Sequence, residues 1–214
     1  MKKLLFYFLL PVIAFSCKSG QTAEDYFDAG SAKMQEKPDP TDKLLIYKVA
    51  MQDFDKAIAL NPAYIDAYEK RSVIRRGLGD YTGCIQDAEK IISIDPKNKN
   101  AFYFIGQSKL FHKDYSGSIK AYSEAISLDS TFTQCYYERG RDEKELHNYT
   151  DALKDYSHAI AISSKGDPFY KSFYFSRGEL KLEMNDKDGA CTDFHKSVEL
   201  GNAYAQSFID EHCK

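Results

Sequence analysis

The sequence lacks a strong excess of charge of either sign, and it contains no tryptophan. Its 214 residues include 29 lysines and arginines and 32 aspartates and glutamates, which gives a formal net charge of −3. Because binding to nucleic-acid phosphates needs a basic stripe, this balance argues against nucleic acid as the main partner. A mean hydropathy of −0.51 also excludes a polytopic membrane protein. The aromatic content consists of 16 tyrosines and 14 phenylalanines.

Sequence motifs of common enzyme classes are also missing. The chain has no Walker phosphate loop and no HExxH metal motif. Gly77, Gly79 and Gly83 form a glycine-rich stretch, but their spacing is wrong for a dinucleotide loop and fits a turn between helices. We therefore expect no catalytic residue, no cofactor and no small-molecule substrate.

The N-terminus has the pattern of an export signal. Lys2 and Lys3 precede an apolar run over 4–15, which is broken by Pro11. This run is shorter than the roughly 20 residues of a spanning helix and is typical of a signal peptide. The small residues before Cys17 resemble a bacterial lipobox, which implies removal of 1–16 and lipidation of Cys17. A plain secretory signal with an incidental cysteine is the alternative.

The lipobox resemblance implies an address. Residues 17–22 would form the lipidated N-terminus and a polar tether. The chain is then exported and anchored by lipid to the cell envelope. We expect the outer membrane, with the protein facing the periplasm or the cell surface.

The body of the sequence repeats every 34 residues. The marks at this spacing are Tyr81, Tyr115 and Tyr149, and also Pro62, Pro96, Ser130 and Ser164. Each repeat holds two segments with apolar residues at helical spacing, separated by a short turn. A 34-residue helix-turn-helix unit with these marks resembles the tetratricopeptide repeat, over about 23–202.

The resemblance implies an all-α fold, a right-handed α-solenoid with a C-terminal capping helix. Five repeats are expected at about 23–62, 63–96, 97–130, 131–164 and 169–202, followed by the cap at 203–214. In repeat 1, Pro38 and Pro40 lie in an insertion at 37–42 and predict an elongated turn, because proline cannot sit in a helix interior. A cluster of helix breakers at 163–168 delays the start of repeat 5.

Small and aromatic residues recur at fixed places in the repeats. The family's small residue in the first helix of each repeat, helix A, is Gly30, Ser72, Gly106, Gly140 and Gly178. Its aromatic in the second helix, helix B, is Phe54, Tyr122, Tyr156 and Phe194, with Ala88 departing in repeat 2. Small residues allow two helices to approach closely, and the ring fills the adjoining gap.

Opposite charges also recur in register. The predicted pairs within repeats are Arg71–Asp87, Arg139–Asp155 and Arg177–Asp193. Repeat 3 has Ile105 and Ala121 at these two positions, so both charges are absent together. Repeat 1 has Ala29 with Asp53 and breaks the pattern. We interpret the pairs as structural ion pairs and not as catalytic dyads.

Resemblance to the family implies that the A helices line a concave face that binds a partner. The groove positions it indicates are Phe27 and Ser31, Glu69 and Val73, Tyr103 and Gln107, Tyr137 and Arg141, and Phe175 and Glu179. Aromatic rings at four of these positions are candidate anchors for a peptide or helix. Packing within the array is the alternative role for the same rings. Phe27 and Ser31 stand where some family members carry a Lys-Asn carboxylate clamp, so that clamp is not supported.

A cluster of cysteine and histidine near the C-terminus has three interpretations. Cys191 and His195 lie four residues apart on one helix, and His212 and Cys213 end the capping helix. The cysteines could be buried free thiols, a Cys191–Cys213 disulfide that an exported compartment permits, or part of a metal site.

These patterns together predict a non-catalytic, membrane-anchored scaffold that binds a protein or peptide partner through its concave face. An accessory role in envelope assembly or secretion would fit such a protein by analogy with other repeat lipoproteins. The alternatives are a metal-binding or enzymatic protein that uses the terminal cysteine and histidine cluster, and a structural protein that associates with itself.

Overall fold

The computed structural model describes residues 20–35, 42–164 and 166–214. Across these ranges the chain forms eleven α-helices and no strand. They are α1 (Ala23–Gln35), α2 (Lys43–Leu60), α3 (Ile65–Gly77), α4 (Tyr81–Ile94), α5 (Lys99–Phe111), α6 (Tyr115–Leu128), α7 (Thr133–Glu145), α8 (Tyr149–Ile162), α9 (Tyr170–Glu183), α10 (Lys187–Glu199) and α11 (Ala205–His212). The predicted signal peptide 1–16, Cys17 and most of the insertion at 37–42 lie outside the described residues.

The first ten helices form five consecutive helix pairs. Within each repeat the A helix packs against the following B helix, and each B helix packs against the next A helix. The A helices α3 and α5 of neighbouring repeats also contact each other, and α11 packs on α10 at the end of the array. Units that mainly contact their neighbours along the chain form a solenoid. The all-α solenoid predicted from the sequence is therefore confirmed.

None of the helices within the described ranges has both the length and the hydropathy that a membrane-crossing segment needs.

The turn between helices A and B has one geometry in four repeats. In repeat 3 the Asp114 amide donates to the Lys109 carbonyl at 3.0 Å, while Lys113 between them has a φ of 57°. A left-handed residue inside such a bond ends a helix in Schellman geometry. The Asp114 side chain then accepts from the Gly117 amide at 2.9 Å and caps α6. Gly79, His147 and Asn185 are the left-handed residues of repeats 2, 4 and 5.

Close approach of the two helices depends on the small residue of helix A. A Cβ atom added at Gly106 would lie 2.5 Å from the ring of Tyr122, and one at Gly178 would lie 2.7 Å from the ring of Phe194. Both rings are fully buried. The ring of helix B therefore occupies the space that a side chain on helix A would need, which links the two sequence marks physically.

Candidate partner-binding groove

The structure forms all three arginine–aspartate pairs that the sequence indicates. Arg139 Nε and Nη2 donate to the two carboxylate oxygens of Asp155, each at 2.8 Å. Arg177 and Asp193 have the same two-bond geometry at 2.9 and 2.7 Å, and Arg71 and Asp87 have it at 3.0 and 2.5 Å. The aspartates are buried, so the paired hydrogen bonds compensate the loss of hydration of each carboxylate.

A second cation joins two of these carboxylates from one helical turn further along helix A. Arg75 lies 2.8 Å from Asp87, and Lys181 lies 2.8 Å from Asp193. In repeat 1 the lysine at this place, Lys33, pairs with Asp53 at 2.5 Å. Repeat 1 therefore departs from the arginine position but keeps the ion pair, because residues i and i+4 of a helix share one face.

The four aromatic residues predicted as anchors are half-buried and pack between repeats. Each ring contacts the buried aromatic of its own helix B and a ring of the following helix or its entry turn. Centroid distances to the following ring are 5.0 Å for Phe27–Tyr64, 5.2 Å for Tyr103–Phe132, 5.0 Å for Tyr137–Phe173 and 4.9 Å for Phe175–Phe208. Much of their surface is thus used within the array, which is the packing alternative for these residues.

Glu69, one of the polar groove residues predicted from the sequence, also links neighbouring repeats, whereas Glu179 has a shifted pKa. Glu69 Oε1 accepts hydrogen bonds from the side-chain amides of Asn98 and Asn100 in the next repeat, both at 3.1 Å. Burial raises the pKa of Glu179, and the charge of Lys144 opposes this effect. Neither carboxylate lines the cleft described next.

Two other predicted groove residues, Gln107 and Arg141, lie in one cleft formed by repeats 2, 3 and 4. This central cleft has a volume of about 280 Å³. Arg76, Gln107, Glu138 and Arg141 form its polar side, and Tyr81, Leu110 and Phe111 form its other side. The rings of Tyr81 and Phe111 stack at a centroid distance of 3.7 Å, and Phe111 is 62% exposed. Consecutive A helices thus supply both charged and apolar groups to one concave place.

The charged groups of the central cleft are unevenly paired. Arg141 Nη1 donates to Glu138 Oε2 at 2.9 Å, and Gln107 Nε2 donates to the Tyr103 hydroxyl at 2.7 Å. Burial raises the pKa of Glu138, while the charges of Arg141 and Arg76 oppose that shift. Buried nitrogen Nε of Arg76 and buried oxygen Oε1 of Gln107 have no hydrogen-bond partner among the described residues. The polar side of the cleft therefore has unused hydrogen-bonding capacity.

The terminal cysteines are bonded to each other. Cys191 of α10 and Cys213 after α11 form a disulfide, with Cα atoms 5.6 Å apart. This is the disulfide interpretation of the three that the sequence left open, and it takes both sulfurs out of a metal ligand set. The structure brings no three metal-binding side chains together within the ranges it describes.

Sequence reasoning missed Asp142, a fully buried carboxyl group in α7. The 34-residue register contains the signal that could have found it. Ile74 and Ser108 precede it at this spacing and are also fully buried, so the register places Asp142 at a core position.

The comparisons with known proteins agree with this architecture. Residues 65–98 match the family model described as tetratricopeptide repeat. No curated protein sequence matches the chain. A crystal structure of MamA protein is 21% identical with a TM-score of 0.68, covering 87% of this chain and 96% of that chain.

Two further solved structures share the fold. MamA from Desulfovibrio magneticus RS-1 is 16% identical with a TM-score of 0.71, covering 85% of this chain and 96% of that one. YrrB, described as a tetratricopeptide-repeat protein with an unusual peptide-binding site, is 14% identical with a TM-score of 0.64, covering 88% and 92%. At these identities the likeness concerns the fold alone. The second repeat of the present chain matches the family model, and the described part of the chain has the tetratricopeptide-repeat fold.

Proposed function

We propose that the protein is a non-catalytic scaffold that binds a protein or peptide partner at the central cleft. The observation that carries this proposal is one concave place that combines two kinds of group. They are buried polar atoms with no hydrogen-bond partner within the described ranges and the exposed ring of Phe111, which stacks on half-buried Tyr81. Protein-binding sites typically combine an apolar contact with a few oriented polar groups. The family fold and the peptide-binding site described for YrrB support the same class of partner.

The finer part of the proposal concerns location. Cys17 would carry the lipid that anchors the chain to the cell envelope, on the outer membrane and facing the periplasm or the cell surface. The lipobox-like sequence before Cys17 supports this, and the Cys191–Cys213 disulfide fits an exported protein. A scaffold held at this membrane would serve envelope assembly or secretion. Loss of membrane association in a Cys17→Ser variant tests the anchor.

Photo-crosslinking from the cleft tests partner binding. The photoreactive amino acid benzoylphenylalanine would replace Phe111, which is exposed and retains an aromatic ring after this exchange. The matched control places it at Lys154 on a B helix, where the side chain is 70% exposed. We expect one dominant protein adduct in native membranes from position 111 that is missing from position 154. Equal adducts from both positions, or none from position 111, would refute binding at the cleft.

A further inference from the structure

Arg76 differs from the other arginines of its helix. Arg71 and Arg75 of α3 both hold the buried carboxylate of Asp87. Arg76 lines the central cleft, is half-buried, and has neither an ion pair nor a hydrogen bond within the part of the chain that the structure describes. A partly desolvated guanidinium without a partner is unfavourable, because its lost hydration is not replaced. An oxygen ligand would relieve this cost.

The charge of the cleft identifies that ligand as an anion. Arg76 and Arg141 supply two positive charges, and Glu138 supplies one negative charge. The cleft is thus locally positive in a chain whose net charge is −3. The guanidinium of Arg141 already pairs with Glu138 on its own helix, and its side chain is 49% exposed. Arg76 is therefore the cation left to receive a partner's negative charge.

The apolar side of the cleft indicates which kind of group lies next to the anion in the partner. Leu110 and the stacked rings of Tyr81 and Phe111 offer an apolar surface next to the arginines. A volume of about 280 Å³ is at the lower end of the range for ligand pockets. The space therefore suits one or two side chains and not a folded element.

We propose that the central cleft binds the carboxylate of an acidic residue in the partner, with Arg76 as its cation and with a neighbouring apolar residue of the partner packed on Phe111. This proposal rests on the proposed function and specifies the partner's chemistry. It assigns recognition to the last turn of α3 and to the ring at the end of α5.

Short peptides test this recognition directly. The probes are N-acetyl-Phe-Glu-amide, its neutral isostere N-acetyl-Phe-Gln-amide, and N-acetyl-Gly-Glu-amide, titrated into the nitrogen-15-labelled protein. The reporter is the Nε–H resonance of Arg76, which is assigned by its loss in an Arg76→Gln variant. We expect the Phe-Glu peptide to shift this resonance and to bind at least about tenfold more tightly than the other two. Its binding should weaken as salt is added.

Variants separate recognition from folding. Because Arg76→Gln removes this reporter, the backbone amide resonance of Phe111 follows binding in the variants. Arg76→Gln should weaken the Phe-Glu peptide at least about tenfold, the loss expected for a hydrogen bond to a charged group. Lys154→Gln removes an exposed cation on α8, which does not line the cleft, and should leave the affinity for the Phe-Glu peptide unchanged. Circular dichroism verifies that each variant is folded. Arg141→Gln changes a more exposed arginine of the cleft and should also weaken binding of the Phe-Glu peptide.

Several outcomes would overturn the proposal. Equal affinities for the Phe-Glu and Phe-Gln peptides would show that the cleft does not recognise the negative charge. Equal affinities for the Phe-Glu and Gly-Glu peptides would show that the apolar contact does not contribute to binding. Unchanged binding in folded Arg76→Gln, or no binding of any probe at millimolar concentration, would contradict it as well. If benzoylphenylalanine at position 111 still gives its crosslinked adduct after any of these outcomes, the scaffold function stands and only the recognition of an acidic residue fails.

Discussion

Asp142 places a carboxyl group where repeats 2, 3 and 5 have Ile74, Ser108 and Leu180, all fully buried. Both of its carboxylate oxygens lack a hydrogen-bond partner in the described part of the chain. Burial raises the pKa of Asp142 to about 7, and the charge of Glu138 adds to the shift. An ionised carboxylate at this place between α6 and α7 is unfavourable because nothing replaces its hydration.

Asp142 should therefore make the folded protein less stable as pH rises. The folded state keeps its proton to about pH 7, while the unfolded chain loses it near pH 3.8. Between these values the folded state binds more protons, so the free energy of unfolding contributed by this group falls with rising pH and then levels off. We expect Asp142→Asn to remove this part of the pH dependence and to raise stability by a few kcal/mol at mildly alkaline pH.

Urea unfolding of wild type and of Asp142→Asn, from about pH 4 to mildly alkaline pH, measures this pH dependence of stability. Asp28→Asn is the matched control, because Asp28 lies exposed on α1. A midpoint for Asp142→Asn that follows wild type at every pH would show that the buried carboxyl carries no such penalty.

In repeats 2, 4 and 5, an arginine on helix A pairs with an aspartate on helix B and ties the two helices together. The tie is not obligatory for the fold, since repeat 3 has Ile105 and Ala121 instead and forms the same helix pair. Where the tie exists, the aspartate is buried and the arginine is largely covered, as for Asp155 and Arg139. Removal of one partner leaves the other charge poorly solvated, which costs more than the intact pair contributes.

A double-mutant series in repeat 4 tests this balance. Asp155→Ala alone should lower the free energy of unfolding by about 3 kcal/mol, because Arg139 then loses its two bonds to the carboxylate. Arg139→Ile with Asp155→Ala reproduces the natural residues of repeat 3 and should recover most of that loss. Denaturant unfolding gives both values. A double variant as unstable as Asp155→Ala, and well below wild type, would show that the ion pair contributes net stability.

Across the whole molecule, the array is closed at its C-terminal end by a covalent bond. Helix α11 has eight residues, which is too short to be stable by itself in water. It packs on α10, with Phe208 against Phe175 and Phe194, and the Cys191–Cys213 disulfide ties its end to α10. Terminal repeats need such a cap because their outer face has no following repeat to cover it.

Reduction of this disulfide should loosen the cap before the rest of the array. The bond joins residues 22 positions apart, and closing a loop of such a length stabilises a protein by about 3 kcal/mol. We expect a Cys191→Ser, Cys213→Ser double variant to show faster amide hydrogen exchange in α11, with helices α3 to α6 unchanged. The wild-type chain under reducing conditions should match it. Equal protection of α11 in the bonded and unbonded forms would mean that the ring contacts alone hold the cap.

Much of the fold could be predicted from the sequence because each repeat is built from local rules. Gly106 and Tyr122 mark one close helix contact, and the repeat pattern transfers that contact to repeats 1, 4 and 5, whereas repeat 2 has Ala88 in place of the ring. The same pattern placed Arg139 opposite Asp155. It was less informative for repeat 1, where Lys33 supplies the cation from the next helical turn.

The site was less predictable, because its properties depend on which atoms are already used. The sequence placed Tyr103 and Tyr137 on the groove, but it could not show that their rings pack against Phe132 and Phe173. The sequence offered no reason to distinguish Arg76 from Arg75. In the structure Arg75 pairs with the buried Asp87, whereas the buried Nε of Arg76 has no hydrogen-bond partner among the described residues.

The sequence by itself determined the helix pairs, their order and the positions of the charged pairs, since these follow from helical periodicity and a constant repeat length. Only the tertiary structure decided that Cys191 and Cys213 meet, that the carboxylate of Asp142 has no hydrogen-bond partner among the residues described, and that Arg76 and Phe111 share a cleft. The reason is physical. Periodicity fixes which face of a helix a residue occupies, whereas burial and free hydrogen-bonding capacity depend on every neighbour that three packed repeats bring to one place.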